Sequence, residues 1–242
     1  MEITAENWDN ASYAAFLDEL FAMGDEKYLA FHSRLVPGIT GFHGVSNQKL
    51  KVVMKELVKN SHLEELYAFV KRGESYEERM LRGMLIGRLF RKDFSLAVRE
   101  IEEYLPHIDN WALCDCMVSA TRPIVGKHLE EMLPHIVQYI ASGKLYTVRV
   151  GYVLLNGNYV DKPYLERIFA LCLQNPCADE YYVQMAIAWL LSTCYIKFPE
   201  ETYQFISSGQ IKDPFVLRKT VSKICDSYRV TDEHKKKAKG VL

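Results

Sequence analysis

The chain has 242 residues, of which 49% are hydrophobic and 25% charged, an ordinary balance for a globular protein with a full core. Eight prolines and 13 glycines, with long runs of good helix formers, argue against an all-β architecture. A formal net charge of −1 gives no support for general polyanion binding. No apolar run approaches the roughly 20 residues that span a bilayer, so no membrane association is expected. The acidic, polar start Met1-Glu2-Ile3-Thr4-Ala5-Glu6 is not the pattern of a signal peptide, and a cytoplasmic protein is expected. The six cysteines, at 114, 116, 172, 177, 194 and 225, match no common zinc spacing and read as reduced core thiols, so neither a metal nor a cofactor is expected.

In chain order, residues 11–23 carry Ala15, Phe16, Leu20 and Met23 at helical spacing, closed by Gly24, and a second helix covers 26–34. The turn-prone stretch Pro37–Gly44 follows. Ser46 or Asn47 can cap a helix through Asn60, with Leu50, Val53, Met54, Leu57 and Val58 inward and Lys51, Lys55 and Lys59 on the opposite face. Ser61-His62-Leu63-Glu64 and Ser75-Tyr76-Glu77-Glu78 both read as capping boxes. Asp93 can cap a helix through Tyr104, and Asp109 or Asn110 the next, which Pro123 is expected to break. Helices then follow over 125–142, 145–156 (closed by Gly157), 163–174, from Asp179 to Tyr195, from Pro199, and over 214–228, before a lysine-rich end at 231–242. About a dozen helices with recurring caps, short loops and no strand alternation predict one all-α domain over 1–242. Its expected architecture is a HEAT- or armadillo-like α-solenoid of stacked antiparallel helix pairs with a concave face.

Charge is unevenly spread. The first 27 residues are acidic, whereas 211–242 and the cluster Lys71, Arg72, Arg79, Arg82, Arg88, Arg91 and Lys92 are basic. Such asymmetry permits a local positive field on a neutral molecule, although solvated helix faces produce the same pattern.

The stretch Asp109-Asn110-Trp111-Ala112-Leu113-Cys114-Asp115 places an indole and a carboxylate four residues apart, on one side of a helix. Arg149 and Trp189 follow at intervals of about 40 residues, the length of one helix-pair repeat. Repeated placement would put all four on equivalent positions of neighbouring units. Each also has a plain structural reading. A helix tryptophan is more often core than site, and Asp115 could cap a helix or pair with Arg149.

These residues, together with Tyr28, Phe31-His32, Gly44-Val45, Ala186-Ile187-Ala188-Trp189-Leu190-Leu191, Arg218-Lys219 and Ser227-Tyr228-Arg229-Val230, give a chain that resembles the AlkD-type DNA alkylation repair glycosylases, in one of their divergent branches. The likeness spans roughly residues 25–230. Where that family commonly shows Thr-Pro and an arginine pair, this chain reads Ser46-Asn47-Gln48-Lys49-Leu50-Lys51, leaving Lys51 as the basic residue.

The resemblance implies a monofunctional glycosylase, working as a monomer on duplex DNA. It would hydrolyse the N-glycosidic bond of cationic N3- or N7-alkylated purines without inserting the base into a deep pocket. Asp115, Trp111 and Trp189 would then be catalytic, and Arg149, Tyr28, Lys51 and Lys55 would contact DNA. The residue types suit the task, since aromatic faces and a carboxylate stabilise positive charge on a sugar whose leaving group is already cationic. A catalytically silent repeat protein that binds DNA or a protein through the same surface is the alternative.

Overall fold

A computed structural model of the chain describes residues 5, 7–60, 62–175, 177 and 179–242. Among them the regular structure is helical throughout, without strands. The chain forms two compact units, residues 1–124 and 125–242.

The first unit runs α1 (Asn10–Ala22), α2 (Glu26–Leu35), α3 (Asn47–Asn60), α4 (Leu63–Val70), α5 (Tyr76–Leu89), α6 (Phe94–Tyr104) and α7 (Trp111–Val125). Most starts follow the local signals. Asp9, Asp25, Ser75 and Asp93 each accept a backbone N–H of the first turn, and Ser75 forms a full capping box with Glu78. Asn110, rather than Asp109, caps α7, its Oδ1 accepting from the amides of Ala112 (3.0 Å) and Leu113 (3.1 Å). The capping box expected at Ser61 lies outside the described residues.

Helix α5 is central to this unit and contacts α3, α4 and α6. Its glycines let α7 come close. A Cβ on Gly83 would sit 3.1 Å from Cβ of Met117, and one on Gly87 would sit 2.2 Å from the Ala120 carbonyl oxygen. Because these glycines are four apart, they form one flat strip against which α7 rests.

The second unit holds α8 (Leu129–Ala141), α9 (Leu145–Asn158), α10 (Leu165–Leu173), α11 (Tyr181–Lys197), α12 (Pro199–Ser207), α13 (Pro214–Asp226) and α14 (Asp232–Lys239). Helices α9, α11 and α13 lie side by side in that order, with α8 against α9, α12 against α11 and α14 against α13. Gln184 donates across to Asp213 (2.9 Å), which also caps α13.

Four local expectations are corrected. Pro123 does not end α7 but sits in its last turn; the bond it cannot donate would have gone to the carbonyl of Ser119, an exposed residue. Gly157 is no C-cap, because α9 continues to Asn158 and this glycine keeps a negative φ. Asp179 does not cap α11, since the Glu180 amide closes a turn onto Cys177 (3.1 Å) and the helix starts at Tyr181. The helix expected to reach residue 228 stops at Asp226, and the lysine-rich end forms α14, capped by Thr231 with acids in its first turn and lysines in its last.

The glycines supply a paired prediction. Gly87→Ala forces apart two packed backbones and is expected to lower stability by about 2 kcal/mol or more. Gly157→Ala meets nothing within 4 Å in a helix and is expected to raise stability by about 0.5–1 kcal/mol. Urea unfolding of both variants beside the wild type checks the pair; a neutral Gly87→Ala would disprove the tight α5–α7 contact.

Candidate functional site

The site starts with the loop between α2 and α3. At its end Gly44 takes φ +84°, and a Cβ there would lie 2.8 Å from the Asp25 carbonyl oxygen, so a side chain is excluded twice over. The loop is tied down by a buried carboxylate. Glu77, in the first turn of α5, accepts the amides of His43 (3.0 Å) and Val45 (3.1 Å), while the Gly41 carbonyl accepts from Tyr76 N–H (2.9 Å). Burial raises the Glu77 pKa above the usual carboxylate value, partly offset by these amide donors.

So held, the loop delivers Phe42 into an aromatic cluster. Tyr28 stacks on His32 (centroids 5.3 Å apart, planes at 14°), and Phe42 meets Tyr76 edge-on at 5.0 Å. His32 Nε2 is hydrogen-bonded to the Tyr76 hydroxyl at 3.0 Å. Burial lowers the His32 pKa and raises that of Tyr76, so both are neutral near pH 7.

This cluster forms one wall of a cavity of about 400 Å³ inside the first unit. Trp111, Ala112, Asp115 and Cys116 of α7 line it, with Lys51 of α3 and Met80 and Met84 of α5. The Trp111 indole is held by its Nε1–H, which donates to the Leu35 carbonyl at the end of α2 (2.9 Å). Asp115 is half-buried. Burial pushes the Cys116 thiol up to about 12, the nearby Lys51 charge opposing and the Asp115 charge assisting.

Four of the expected residues thus meet: Tyr28, Lys51, Trp111 and Asp115 line one cavity. Lys55 stands one turn beyond Lys51 on α3; both lysines are exposed and form no ion pair among the described residues. Lys49 instead donates to the Met23 carbonyl (2.6 Å). Arg149 and Trp189 belong to the second unit. There Arg149 is buried and its Nη1 donates to the Tyr182 carbonyl (2.7 Å), whereas Trp189 is 39% exposed. Burial, with the charges of Arg149 and Lys219, lowers the Lys223 pKa.

The central basic cluster is divided: Arg72, Arg88, Arg91 and Lys92 are exposed, whereas Lys71, Arg79 and Arg82 turn inward to partners. Arg79 pairs with Asp109 (2.5 Å), the buried Arg82 lies over the Tyr104 ring (4.9 Å), and Lys71 binds Glu100 and Glu103. Their charges support packing rather than an outer field. His32, Tyr76, Met80, Met84 and Cys116 are cavity residues that the site reading of the sequence did not select. The four-residue spacing of Tyr28 and His32 was the available signal for one of them.

None of the six cysteines is in a disulfide, and no group of His, Cys, Asp or Glu suited to a metal occurs among the described residues. No helix among them is long and apolar enough to cross a membrane.

An all-helical protein whose cavity joins aromatic faces to a carboxylate is equipped to handle a cationic, planar group. Residues 16–224 match the family described as DNA alkylation repair enzyme, and the chain belongs to that family. Comparison with curated proteins and with solved structures returns no match.

The tie at Glu77 predicts a separation between two variants. Glu77→Ala orphans the buried Val45 amide and the part-buried His43 amide and is expected to cost about 3 kcal/mol. Glu77→Gln keeps an acceptor at Oε1 and is expected to stay near wild type at low pH. The raised folded pKa means the native state holds its proton longer than the unfolded chain. Wild-type stability from this group is therefore full below about pH 4.5 and is lost as pH rises through the folded value. Urea midpoints measured across that window should favour Glu77→Gln increasingly with pH; parallel curves would refute the assignment.

Proposed function

We propose that the protein is a DNA glycosylase acting in DNA alkylation repair, which hydrolyses the N-glycosidic bond of cationic N3- or N7-alkylated purines in duplex DNA. One observation carries the reading: in a member of this family, the Trp111 indole and the Asp115 carboxylate line one cavity with Tyr28 and Lys51.

Alkylation at N3 or N7 makes the purine a cation and hence a good leaving group, so no strong acid is needed to protonate it. As the C1′–N bond breaks, its electron pair goes to the purine and cancels that charge, while positive charge grows on the sugar. Asp115 stabilises this oxocarbenium-like sugar and orients the water that adds to C1′, the proton of the water passing to the carboxylate or to solvent. Trp111 presents its π face to the same charge, an attraction of about 0.5–2 kcal/mol. Its indole is already held by Leu35, which limits the reorganisation required.

Lys51 and Lys55 take backbone phosphates, giving sequence-independent and salt-dependent affinity. The family likeness implies a backbone contact for Arg149, which in this chain is buried against the Tyr182 carbonyl, and a second indole from Trp189, with residues 1–242 as one helical-repeat domain and the protein as a monomer. No metal or cofactor takes part in this scheme.

The test is release of free methylated base from methylated duplex DNA. Wild type is expected to release base, with Asp115→Asn reduced about a hundredfold and Trp111→Ala by about tenfold or more. Lys51→Ala and Lys55→Ala are expected to weaken DNA binding and to lower the slope of log affinity against log salt by about 1 each. Wild-type release no faster than spontaneous loss, with DNA binding retained, would leave a binding module instead of an enzyme.

A further inference from the structure

Helix α2 meets the site with one side and solvent with the next. Tyr28 and His32, one turn apart, face inward, where Tyr28 lines the cavity and His32 is hydrogen-bonded to the Tyr76 hydroxyl (3.0 Å). The neighbouring side carries Lys27, Phe31, Arg34 and Leu35, at spacings of three and four. All four are exposed, Phe31 to 58% and Leu35 to 48%. Neither Lys27 nor Arg34 is in an ion pair among the described residues. Glu26, the acid of this helix, falls on a different face. A merely solvated helix face is polar, whereas this one sets two large apolar side chains between cations, the composition of an interaction surface.

We propose that this strip of α2 docks the DNA strand beside the nucleotide held at Trp111 and Asp115, with Lys27 and Arg34 on its phosphates and Phe31 and Leu35 against its sugars. The inference rests on DNA as the substrate of the site and adds contacts that the glycosylase reading does not use.

Three observations support it. The strip is continuous with the site, because the Leu35 carbonyl accepts the Trp111 indole N–H (2.9 Å), so a strand that reaches that indole runs next to Leu35. Its charge is complementary to a polyanion, with two cations and no acid on the face. Its dimensions fit as well. Seven residues of α-helix, from Lys27 to Arg34, advance about 10 Å, close to three phosphate steps of about 3.4 Å along one strand. Cations at both ends of that interval meet phosphates, and Phe31 between them meets the less polar deoxyribose. The helix is already fixed by the bonds of His32 and Leu35, so docking orders side chains only. Contacts of this kind set register without reading sequence, which suits the repair of a lesion in any sequence.

The test uses a duplex in which a tetrahydrofuran replaces one nucleotide, a stable abasic analogue with no base to release. Its affinity is read by fluorescence anisotropy over a range of salt, for wild type, Lys27→Ala, Phe31→Ala, Arg34→Ala and Lys92→Ala. All the replaced side chains are exposed, so each variant keeps its fold. Lys92 serves as the control, since it follows the far end of α5, about 20 Å along that helix from Tyr76. Lys27→Ala and Arg34→Ala are each expected to lower the slope of log affinity against log salt by about 1, and Lys92→Ala to leave it unchanged. Phe31→Ala is expected to weaken binding about tenfold at every salt concentration with the slope kept.

Wild-type slopes and affinities in all three α2 variants would overturn the proposal. So would a Lys92→Ala slope reduced as much as theirs, or a wild type that does not bind the duplex. Base release from methylated duplex is measured on the same proteins. Wild type that releases base while the α2 variants bind unchanged sinks the strip and leaves the glycosylase reading standing. Weakened α2 variants of a wild type that releases no base uphold the strip and sink the glycosylase reading.

Discussion

A single buried carboxylate sets the geometry of the first unit. Glu77 lies in the first turn of α5, where the free amides of the helix start already favour negative charge, and it spends its oxygens on two amides of the α2–α3 loop. That choice fixes the path of the loop, and the loop fixes Phe42 and the start of α3. From there the dependence spreads: Phe42 packs on Tyr76 and His32, His32 supports Tyr28, and α3 carries Lys51 to the cavity. A carboxylate is costly to bury, and only the pair of well-placed amides makes it tolerable. The arrangement is therefore stiff, because any movement of the loop leaves both partners unsatisfied.

The opposite wall depends on shape instead of charge. Gly83 and Gly87 remove side chains from one strip of α5, and α7 settles onto it through Met117 and Ala120. Trp111 and Asp115, on other faces of α7, are thereby set at a fixed distance from Met80 and Met84 of α5. One wall is thus defined by hydrogen bonds and the other by close packing, and an aromatic–acidic cavity lies between them.

How much of this could be read from residues alone varied with the range of the interaction. The pairing of Trp111 with Asp115 was legible because four-residue spacing on a helix is a local fact. The caps at Ser75 and Asp93 were local too. Glu77 was not, since an acid in a first turn looks the same whether it faces solvent or anchors a loop more than 30 residues away. Arg79 and Arg82 read as part of a basic patch because their partners, Asp109 and Tyr104, are distant in sequence. Pro123 and Gly157 carried helix-stop signals, yet α7 and α9 run past them. Met80 and Met84 were visible as a helix core face, but nothing local distinguishes a core face from a cavity lining.

The wall thiol has a chemical consequence for a protein that meets alkylating agents. The nucleophile in cysteine is the thiolate, and a thiol that burial pushes up to about 12 stays almost wholly protonated at pH 7. Cys194 is raised to about 12 as well, and Cys172 well above the ordinary value. The electrophiles that mark purines for removal find almost no sulfur anion in these positions. Burial, needed in the first place for packing, also makes Cys116, Cys172 and Cys194 poor targets for alkylating reagents.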